Sequence, residues 1–396
     1  MATEPIILVC SSDSSIKTYS VFRRGNELAN VDIVHTSGES RFHIRHKETV
    51  FDTQFAGGDR HECLSQVFAT LIEQGVIDSA QDIAGVGIQI SAPGGYFLQD
   101  RPINDYEITI LEQLKIASPT QLEEQLKEIY SIKQLLPRAK IIGVSDSAFH
   151  VTKPDYAWNY AISLEDADTY DIKRFGYNGI ALESVRMQLK GSQYATLNKV
   201  VVCYLGNQSS ATALFNRKSI DTTMGFSNSE GMMMATQAGS LSYTTGLALA
   251  KKKNVSPNQL GHELANNAGL YGISGSSSDI LALIEKESAG DHRAELAVSM
   301  YVYSARQAIA QMVASLQGID GLVFAGPTAM QSALIRKRIV DGLEYLGLVI
   351  TPKLNLEEIS NKKITALQPR TRSKPVLVVP IQKERIMQSH VRSFLV

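Results

Sequence analysis

Two segments of the chain share a pattern that restricts the fold more than any other feature of the sequence. Residues 6–15 read IILVCSSDSS, and residues 201–210, displaced by 195 positions, read VVCYLGNQSS. In each segment an apolar run typical of a buried strand leads into a small polar turn and a second strand. A hairpin signal follows each copy, at Arg24-Gly25-Asn26 and at Asn216-Arg217-Lys218. The pattern predicts two related halves.

The later parts of the two halves also correspond in order. A helical stretch from Glu62 to Gln74 leads to a buried strand, Ile83 to Ile90, which breaks at a Pro-Gly-Gly turn. In the second half a helical stretch from Ala294 to Leu316 leads to Leu322-Val323-Phe324, which breaks at Gly326-Pro327. A ten-residue match can arise by chance, but two matched features in the same order favour duplication. We therefore expect duplicated βαβ-type halves whose glycine turns enclose a cleft.

The chain length requires more than one core, since 396 residues exceed what a single core usually supports. A helix is predicted from Pro119 to Leu136 with Ser118 as its N-cap. A strand from Ala139 to Val144 follows and delivers Ser145-Asp146-Ser147 to the predicted cleft. We therefore place the boundary near residue 150.

The first half then spans residues 1–150 and the second spans residues 151–382. Near the end of the chain, residues 376–380 read as a strand, and a final helix within residues 383–396 completes the first half.

The segment from Lys199 to Gly239 carries the clearest chemical signal. The apolar run Val200 to Tyr204 suits a strand buried on both faces, and it breaks at Gly206-Asn207 before Ser209-Ser210. Such a turn presents backbone N–H groups and hydroxyls with little side-chain bulk. This is the local chemistry of a phosphate-binding hairpin.

Composition excludes several other classes of function. The formal net charge is −1, which argues against nucleic acid or an anionic membrane as the main partner. No apolar run approaches the ~18 residues of a membrane helix. The cysteines, Cys10, Cys63 and Cys203, have no metal or redox spacing, which predicts a reducing cytoplasm. His43 and His46 have helical spacing, but their basic neighbours favour a charged surface over a metal site.

Several short motifs are similar to those of the acetate and butyrate kinase family. The most specific are Ser219-Ile220-Asp221-Thr222, Met224-Gly225-Phe226, Glu230-Gly231, Gly272-Ile273-Ser274-Gly275, Arg336 and Gly342-Leu343-Glu344. The resemblance covers nearly the whole chain and is weakest over residues 20–80. It implies an α/β fold of two actin-like, sugar-kinase-like halves of the ribonuclease H type. It also implies a cytoplasmic homodimer that uses ATP and Mg²⁺ to phosphorylate a short carboxylate.

The resemblance also assigns roles to residues, with an acyl-substrate side in the first half and a nucleotide side in the second. Asp146 matches the catalytic aspartate, which could accept a proton or orient the acceptor. The nucleotide-binding positions are Lys17, Leu205, Gly206, Asn207, Asp279 and Gly326. Simpler interpretations remain open: Asp146 can cap a turn, Lys17 can be a solvated charge, and Asp279 can cap a helix.

Several charged positions of the family are neutral here. Gln89 stands at the substrate-binding arginine, Gln237 at the second arginine, and Asn178 at the histidine. Ser240 and the run Pro327-Thr328-Ala329-Met330 also depart from the pattern. At the metal positions Cys10 replaces an asparagine and Lys383 replaces a glutamate, although Glu384 is adjacent and could substitute.

Phosphoryl transfer depends on positioning and on neutralising negative charge, and one arginine can contribute roughly 10³–10⁵ in rate. We therefore expect an acetate-kinase-like protein with weak or altered activity, in which Arg101 or Arg174 could supply a replacement cation. A neutral or amide-bearing acceptor is an intermediate hypothesis. The alternative is a catalytically inactive member acting in nucleotide sensing, regulation or scaffolding.

Overall fold

The computed structural model describes residues 4–13, 16–36, 39–47, 49–56, 60–115, 119–369 and 373–395. Within these ranges the strands are β1 Ile6–Asp13, β2 Ile16–Arg23, β3 Asn26–Thr36, β4 Glu39–His46, β5 Thr49–Ala56, β6 Ile83–Ile90, β7 Arg101–Pro102, β8 Lys140–Ser145, β9 Lys199–Tyr204, β10 Ser210–Phe215, β11 Lys218–Thr222, β12 Gly321–Ala325, β13 Thr365–Ala366 and β14 Val376–Val378.

The helices are α1 Arg60–Glu73, α2 Asp105–Leu114, α3 Pro119–Leu135, α4 Asp155–Trp158, α5 Leu164–Thr169, α6 Gly179–Lys190, α7 Tyr243–Lys253, α8 Pro257–Asn266, α9 Gly269–Ser274, α10 Ile280–Ser288, α11 His292–Leu316, α12 Pro327–Gln331, α13 Ala333–Val340, α14 Pro352–Leu356 and α15 Lys383–Ser393. No helix in the part of the chain that the structure describes is both long enough and apolar enough to cross a membrane.

The chain forms two compact units. The first comprises Met1–Ala148 together with Gln382–Val396, and the second comprises Phe149–Ile381. The sheet of the first unit has the strand order β5-β4-β3-β2-β1-β6-β8-β7. Strands β1 to β5 form an antiparallel meander, whereas β1, β6 and β8 are parallel neighbours.

The second unit repeats the central part of this arrangement. Its sheet has the order β11-β10-β9-β12-β14-β13, in which β11, β10 and β9 are antiparallel and β9, β12 and β14 are parallel. The five strands β3-β2-β1-β6-β8 thus correspond to β11-β10-β9-β12-β14. The predicted duplicated α/β fold is confirmed.

Helices cover both faces of each parallel segment, as parallel sheets require. In the first unit, α1 and α3 supply apolar residues to one core cluster with β1 and β6. Helix α15 packs on the opposite face, so closely that a Cβ at Gly87 would lie 2.6 Å from the Val391 side chain. In the second unit, α11 is the main helix on one face and α6 covers the other.

The structure departs from the sequence-based expectations at two places. Strand β1 extends to Asp13, with Ser11 paired to Thr18 and Ser12 to Lys17. The first polar segment is therefore mostly strand, whereas the matching segment of the second unit is an open turn between β9 and β10. The predicted cap Ser118 and the serines at 14 and 15 lie outside the described residues.

The helical spacing of His43 and His46 was misleading, because both lie on strand β4. Residues three apart on a strand point to opposite faces. The His43 ring hydrogen-bonds to Asp52 at 2.6 Å, and the His46 ring bonds to the Leu28 carbonyl at 2.7 Å.

Candidate functional site

In the first unit, the carboxyl ends of the parallel strands β6 and β8 bring Asp146 and Ser91 together. Asp146 follows β8, is 2 % exposed, and donates its backbone N–H to the Ile90 carbonyl at 2.9 Å. Its carboxylate accepts a hydrogen bond from the Ser91 hydroxyl at 3.2 Å. This edge of a parallel sheet is where α/β proteins usually bind ligands.

The hydroxyl that caps the turn after β8 belongs to Ser145, the residue before Asp146. Its Oγ accepts from the N–H groups of Ser147 at 3.2 Å and Ala148 at 2.9 Å. Ser145 thus caps the turn after β8, and the buried Asp146 carboxylate is bonded to a serine that follows the neighbouring strand β6.

The simpler interpretation, that Lys17 is a solvated charge, is wrong. Its ammonium forms an ion pair with Glu128 of α3, and only about a fifth of its side chain is exposed. The Tyr19 hydroxyl donates to the same carboxylate at 2.8 Å. The Lys17 charge is therefore offset by a buried carboxylate from a distant helix.

The three residues at the predicted metal positions do not assemble around one point. Successive residues of a strand point to opposite faces. Ser11 donates to the Glu384 carboxylate at 2.7 Å on the α15 face, so Cys10 points to the other face, into the core cluster with Leu8. Burial, against a smaller effect of Lys17, raises the Cys10 pKa to about 12, so the thiol stays neutral.

These residues do not fit Mg²⁺. Magnesium prefers oxygen ligands in octahedral geometry, whereas this set offers the neutral thiol of Cys10, the amine of the largely buried residue Lys383 and the carboxylate of Glu384. Among the described residues, no group of three or more His, Cys, Asp or Glu side chains could hold a metal ion.

Gln89 lies on β6, on the same sheet face as Gly85 and Gly87. Its amide oxygen is buried and has no hydrogen-bond partner among the described residues. The same holds, within the described ranges, for the amide oxygen of Gln237 in the second unit. A buried acceptor without a donor destabilises the folded protein by about 1–3 kcal/mol. The presence of glutamine at these two positions is therefore not explained by a structural hydrogen bond to the amide oxygen.

In the second unit, four of the predicted nucleotide residues, Leu205, Gly206, Asn207 and Gly326, lie on two adjacent turns after β9 and β12. The Leu205 N–H donates to the Ala325 carbonyl at 2.8 Å, and the Thr328 N–H donates to the Leu205 carbonyl at 3.1 Å. Gly326 has φ of 89°, and a Cβ there would lie 2.5 Å from the Leu205 carbonyl oxygen. Only glycine suits this close approach.

The Gly206-Asn207 turn is fixed from two sides. The Ser209 hydroxyl donates to the Gly206 carbonyl at 3.1 Å and accepts the Gly206 N–H at 3.3 Å. The Asn207 carbonyl accepts the Ala235 N–H at 3.1 Å. This second contact joins the turn to the segment that carries Gln237.

Asn178 adopts a left-handed conformation with φ of 62° immediately before α6. Asparagine tolerates this region better than most residues. Its amide nitrogen donates to the Ser210 hydroxyl at 3.0 Å, and the residue is 4 % exposed. Asn178 is thus held against the start of β10.

Asp279 is the N-cap of α10, where its carboxylate accepts the Leu281 N–H at 2.9 Å. The Asp279 N–H in turn donates to the Ser277 hydroxyl at 3.0 Å. The helix-capping interpretation is confirmed, and the nucleotide role of Asp279 stays a prediction.

Both arginines considered as replacement cations are held within their own units. Arg174 pairs with Glu230 at 3.1 Å and donates to the Thr222 carbonyl at 3.2 Å. Arg101 donates to the Tyr96 carbonyl at 2.7 Å and lies 3.9 Å from the centroid of the Tyr96 ring. These contacts engage both guanidinium groups structurally.

Sequence reasoning missed a buried lysine beside Arg174. Lys153 is 5 % exposed and donates to the Arg174 carbonyl, and its amine lies 4.5 Å from the Trp158 ring centroid. Burial, followed by the positive charge of Arg174, lowers the Lys153 pKa to about 7. Nothing in the sequence around Lys153 distinguishes it from a surface lysine.

The two units and their turns define a class of protein. Each unit joins an antiparallel meander to parallel strands covered by helices on both faces. This is the α/β architecture of actin-like and sugar-kinase-like proteins, and the candidate turns follow the carboxyl ends of the parallel strands. Within that class, the chain belongs to the Acetokinase family, whose sequence model matches residues 6–389. The resemblance seen in the short motifs is confirmed.

Individual relatives agree with this assignment. The chain is 32% identical over 351 residues to an acetate kinase of Brachyspira hyodysenteriae, covering 86% of this chain and 88% of the relative. It is 30% identical over 387 residues to an acetate kinase of Dictyoglomus turgidum, covering 96% and 95%. A propionate kinase structure from Francisella tularensis covers 98% of this chain and 99% of its own, with a TM-score of 0.87 at 23% identity.

Proposed function

We propose that this protein is a divergent acetate-kinase-type phosphotransferase whose reaction on acetate is weak or altered. The family reaction transfers a phosphoryl group from ATP to a short carboxylate. The observation that carries the proposal is the pair of buried, unpartnered amide oxygens at Gln89 and Gln237 within the described part of the chain. They stand where the resemblance implies arginines, in a chain that otherwise keeps the fold of the family.

The roles of individual residues follow from their local geometry. The first unit would be the acyl-substrate side, where the buried Asp146 carboxylate would orient the acceptor or take its proton. The second unit would be the nucleotide side, where the turn Gly206–Ser209 and the neighbouring Gly326 would hold phosphate oxygens through backbone N–H groups. Neither role requires a metal ligand from Cys10 or Lys383.

The expected loss of rate follows from charge. An arginine contributes a fixed positive charge and bidentate hydrogen bonds to an anion, whereas a glutamine amide can donate only neutral hydrogen bonds. The loss of one transition-state arginine can lower the rate roughly 10³–10⁵-fold, and losses at coupled positions do not simply multiply. Arg101 and Arg174 are engaged by Tyr96 and Glu230, so restoring the charge from either would require breaking those contacts.

A second candidate is a catalytically inactive, nucleotide-sensing or scaffold protein. It is favoured by the misfit of Cys10, Lys383 and Glu384 to magnesium, together with an intact Gly206–Ser209 turn. In this case ATP would still bind the second unit. A homodimer in the cytoplasm is part of both proposals, and light scattering would measure the oligomeric state.

The test is a hydroxylamine trap for acyl phosphate, with purified protein, ATP, Mg²⁺ and acetate, propionate or butyrate. We expect turnover on acetate well below the range of about 1–100 s⁻¹ usual for kinases. A rate inside that range would overturn the proposal. If no acyl phosphate forms with any acid, ATP-dependent thermal stabilisation favours nucleotide sensing, and its absence favours a scaffold.

A further inference from the structure

A histidine of helix α15 is bonded to the loop that leads into β7. The His390 ring bonds through Nδ1 to the Asp100 carboxylate at 2.6 Å. The two side chains are only 26 % and 17 % exposed, so water competes less for this bond than it would at the surface. His390 and Asp100 are 290 positions apart in the chain, and both belong to the first unit. The contact therefore joins a helix at the end of the chain to the edge of the sheet.

The chemistry of the two partners gives the direction of the bond. An ionised carboxylate only accepts hydrogen bonds, so the Nδ1–H of His390 donates to Asp100 Oδ2. The other carboxylate oxygen, Oδ1, accepts the backbone N–H of Ser145 at 2.9 Å. Asp100 thus links α15 on one side to the end of β8 on the other.

The loop before β7 holds the residue that precedes Asp146 by two bonds. Besides the N–H bond to Asp100, the Ser145 hydroxyl donates to the Phe97 carbonyl. On its other side, the Asp146 N–H donates to the Ile90 carbonyl of β6 at 2.9 Å. The backbone that presents the Asp146 carboxylate is therefore fixed by β6 on one side and by this loop on the other.

Helix α15 is a firm support for the histidine. Val391, the residue after His390, packs so closely on β6 that a Cβ at Gly87 would lie 2.6 Å from its side chain. The Lys140 ammonium, at the start of β8, donates to the Phe394 carbonyl at 2.7 Å. A group on a helix that is packed in this way is held more precisely than a group on a loop.

We propose that His390 is a positioning residue for Asp146. By bonding to Asp100, it fixes the acceptor that holds the Ser145 N–H, and it thereby sets the direction in which Asp146 presents its carboxylate. His390 acts through Asp100 rather than by contact with a substrate. The inference rests on the proposed role of Asp146 toward the acyl acceptor.

The first test compares two substitutions that differ in where they place an amide nitrogen. His390→Asn places it where Nδ1 lies in histidine, so donation to Asp100 persists, whereas His390→Gln places it where Nε2 lies. With saturating ATP and varied acetate, we expect kcat for acyl phosphate formation to fall about 3- to 10-fold in His390→Gln, with KM for acetate within about twofold of wild type. His390→Asn should keep at least about half of the wild-type kcat. Equal kcat in wild type and His390→Gln, or an equal loss in both variants, would overturn the proposal.

A control removes a comparable histidine bond elsewhere in the first unit. The His46 ring bonds through Nδ1 to the Leu28 carbonyl at 2.7 Å. It lies on β4, which is separated from β8 by four strands of the sheet. His46→Gln should therefore leave kcat and KM within about twofold of wild type. A loss of kcat as large as that of His390→Gln would mean that the effect is not specific to the contact with Asp100, and the proposal would fail.

A double-mutant cycle checks the route. Asp100→Ala removes the carboxylate through which His390 acts, so adding His390→Gln to this variant should lower kcat by less than about twofold further. Full multiplication of the two single effects would show that His390 does not act through Asp100.

A second measurement needs no substrate and separates this inference from the proposed function. In His390→Gln, amide hydrogen exchange should rise in residues 145–148 while residues 383–393 of α15 keep their protection, and His390→Asn should match wild type. Unchanged exchange at 145–148 in His390→Gln overturns the inference. If wild type forms no acyl phosphate with acetate, propionate or butyrate but the exchange responds as expected, the action of His390 on the Asp146 turn is supported and the phosphotransferase proposal alone fails.

Discussion

Replacement of Lys153 gives a prediction that the structure makes quantitative. Its amine lies 4.5 Å from the ring centroid of Trp158, the single tryptophan of the chain. Burial and the nearby Arg174 charge lower its pKa from 10.5 to about 7, against the opposing effects of Asp221 and Glu230. Trp158, whose fluorescence can report the titration, therefore lies next to the titrating amine of Lys153.

The size of the effect on the free energy of unfolding follows from the linkage between proton binding and folding. At about 1.4 kcal/mol per pKa unit, the difference between 10.5 and about 7 is about 5 kcal/mol. Between these pH values the unfolded chain binds a proton at Lys153 that the folded protein does not. The free energy of unfolding therefore rises with pH across this window. The destabilisation that results from burying the protonated Lys153 is largest below pH 7.

The assay combines tryptophan fluorescence with denaturant unfolding. Wild-type Trp158 emission should change with a midpoint near pH 7, and the change should be absent in Lys153→Met. Lys153→Arg stays charged throughout and should also show no transition. Because the penalty fades with pH, the stability of Lys153→Met relative to wild type should fall by about 3 kcal/mol between about pH 6 and pH 9.

His150 does not contribute to this transition, because burial lowers its pKa to about 3, below the pH range of the assay. A wild-type midpoint above about pH 9, or a transition that survives in Lys153→Met, would refute the reasoning. The first result would mean that the lysine remains charged against the Trp158 ring, and the second would mean that another group causes the change in emission.

Two further predictions concern the framework of the candidate site. Gly326→Ala should destabilise the protein by at least about 2 kcal/mol, because the left-handed backbone and the close carbonyl exclude a Cβ. Gly246→Ala, in the interior of α7 with open space, should instead be stabilising by about 0.5–1 kcal/mol, and thermal denaturation distinguishes the two. Glu128→Gln should cost about 1–3 kcal/mol because it leaves the partly buried Lys17 without its ion partner, whereas the exposed Glu123→Gln should be near neutral in urea unfolding. An equal response of the two glutamates would contradict the description of Lys17.

The fold could be predicted from the sequence wherever local pattern and tertiary environment agree. The strand Ile83–Ile90 is apolar except for Gln89, and it is buried between helices on both faces. The turn after β2 forms where Arg24 and Gly25 take positive φ of 56° and 76°. Strand β4 was not among the predicted elements, although charged and apolar residues alternate along it, and the helical spacing of its two histidines is a coincidence.

The candidate site was less predictable, because its contacts join residues that are far apart in the chain. Lys17 is paired by Glu128 across a helix, and no local pattern indicates that partner. Tyr301 reaches Ser209 across 92 residues and looked like any core residue of an amphipathic helix. The Ser145 hydroxyl caps the turn after β8, a role that sequence reasoning had considered only for the adjacent Asp146.

The central claim is that loss of charge at three positions weakens the family reaction while the fold is kept. The variant Gln89→Arg, Asn178→His and Gln237→Arg restores all three side chains, and histidine, like asparagine, tolerates the left-handed conformation at 178. A control with Gln54→Arg and Gln307→Arg adds the same two arginine charges at exposed positions.

The deciding measurement is the rate of acyl phosphate formation from ATP and acetate in wild type, the triple variant and this control. We expect a rate at least about tenfold higher in the triple variant than in either of the others. A folded triple variant that is no faster than wild type would contradict it.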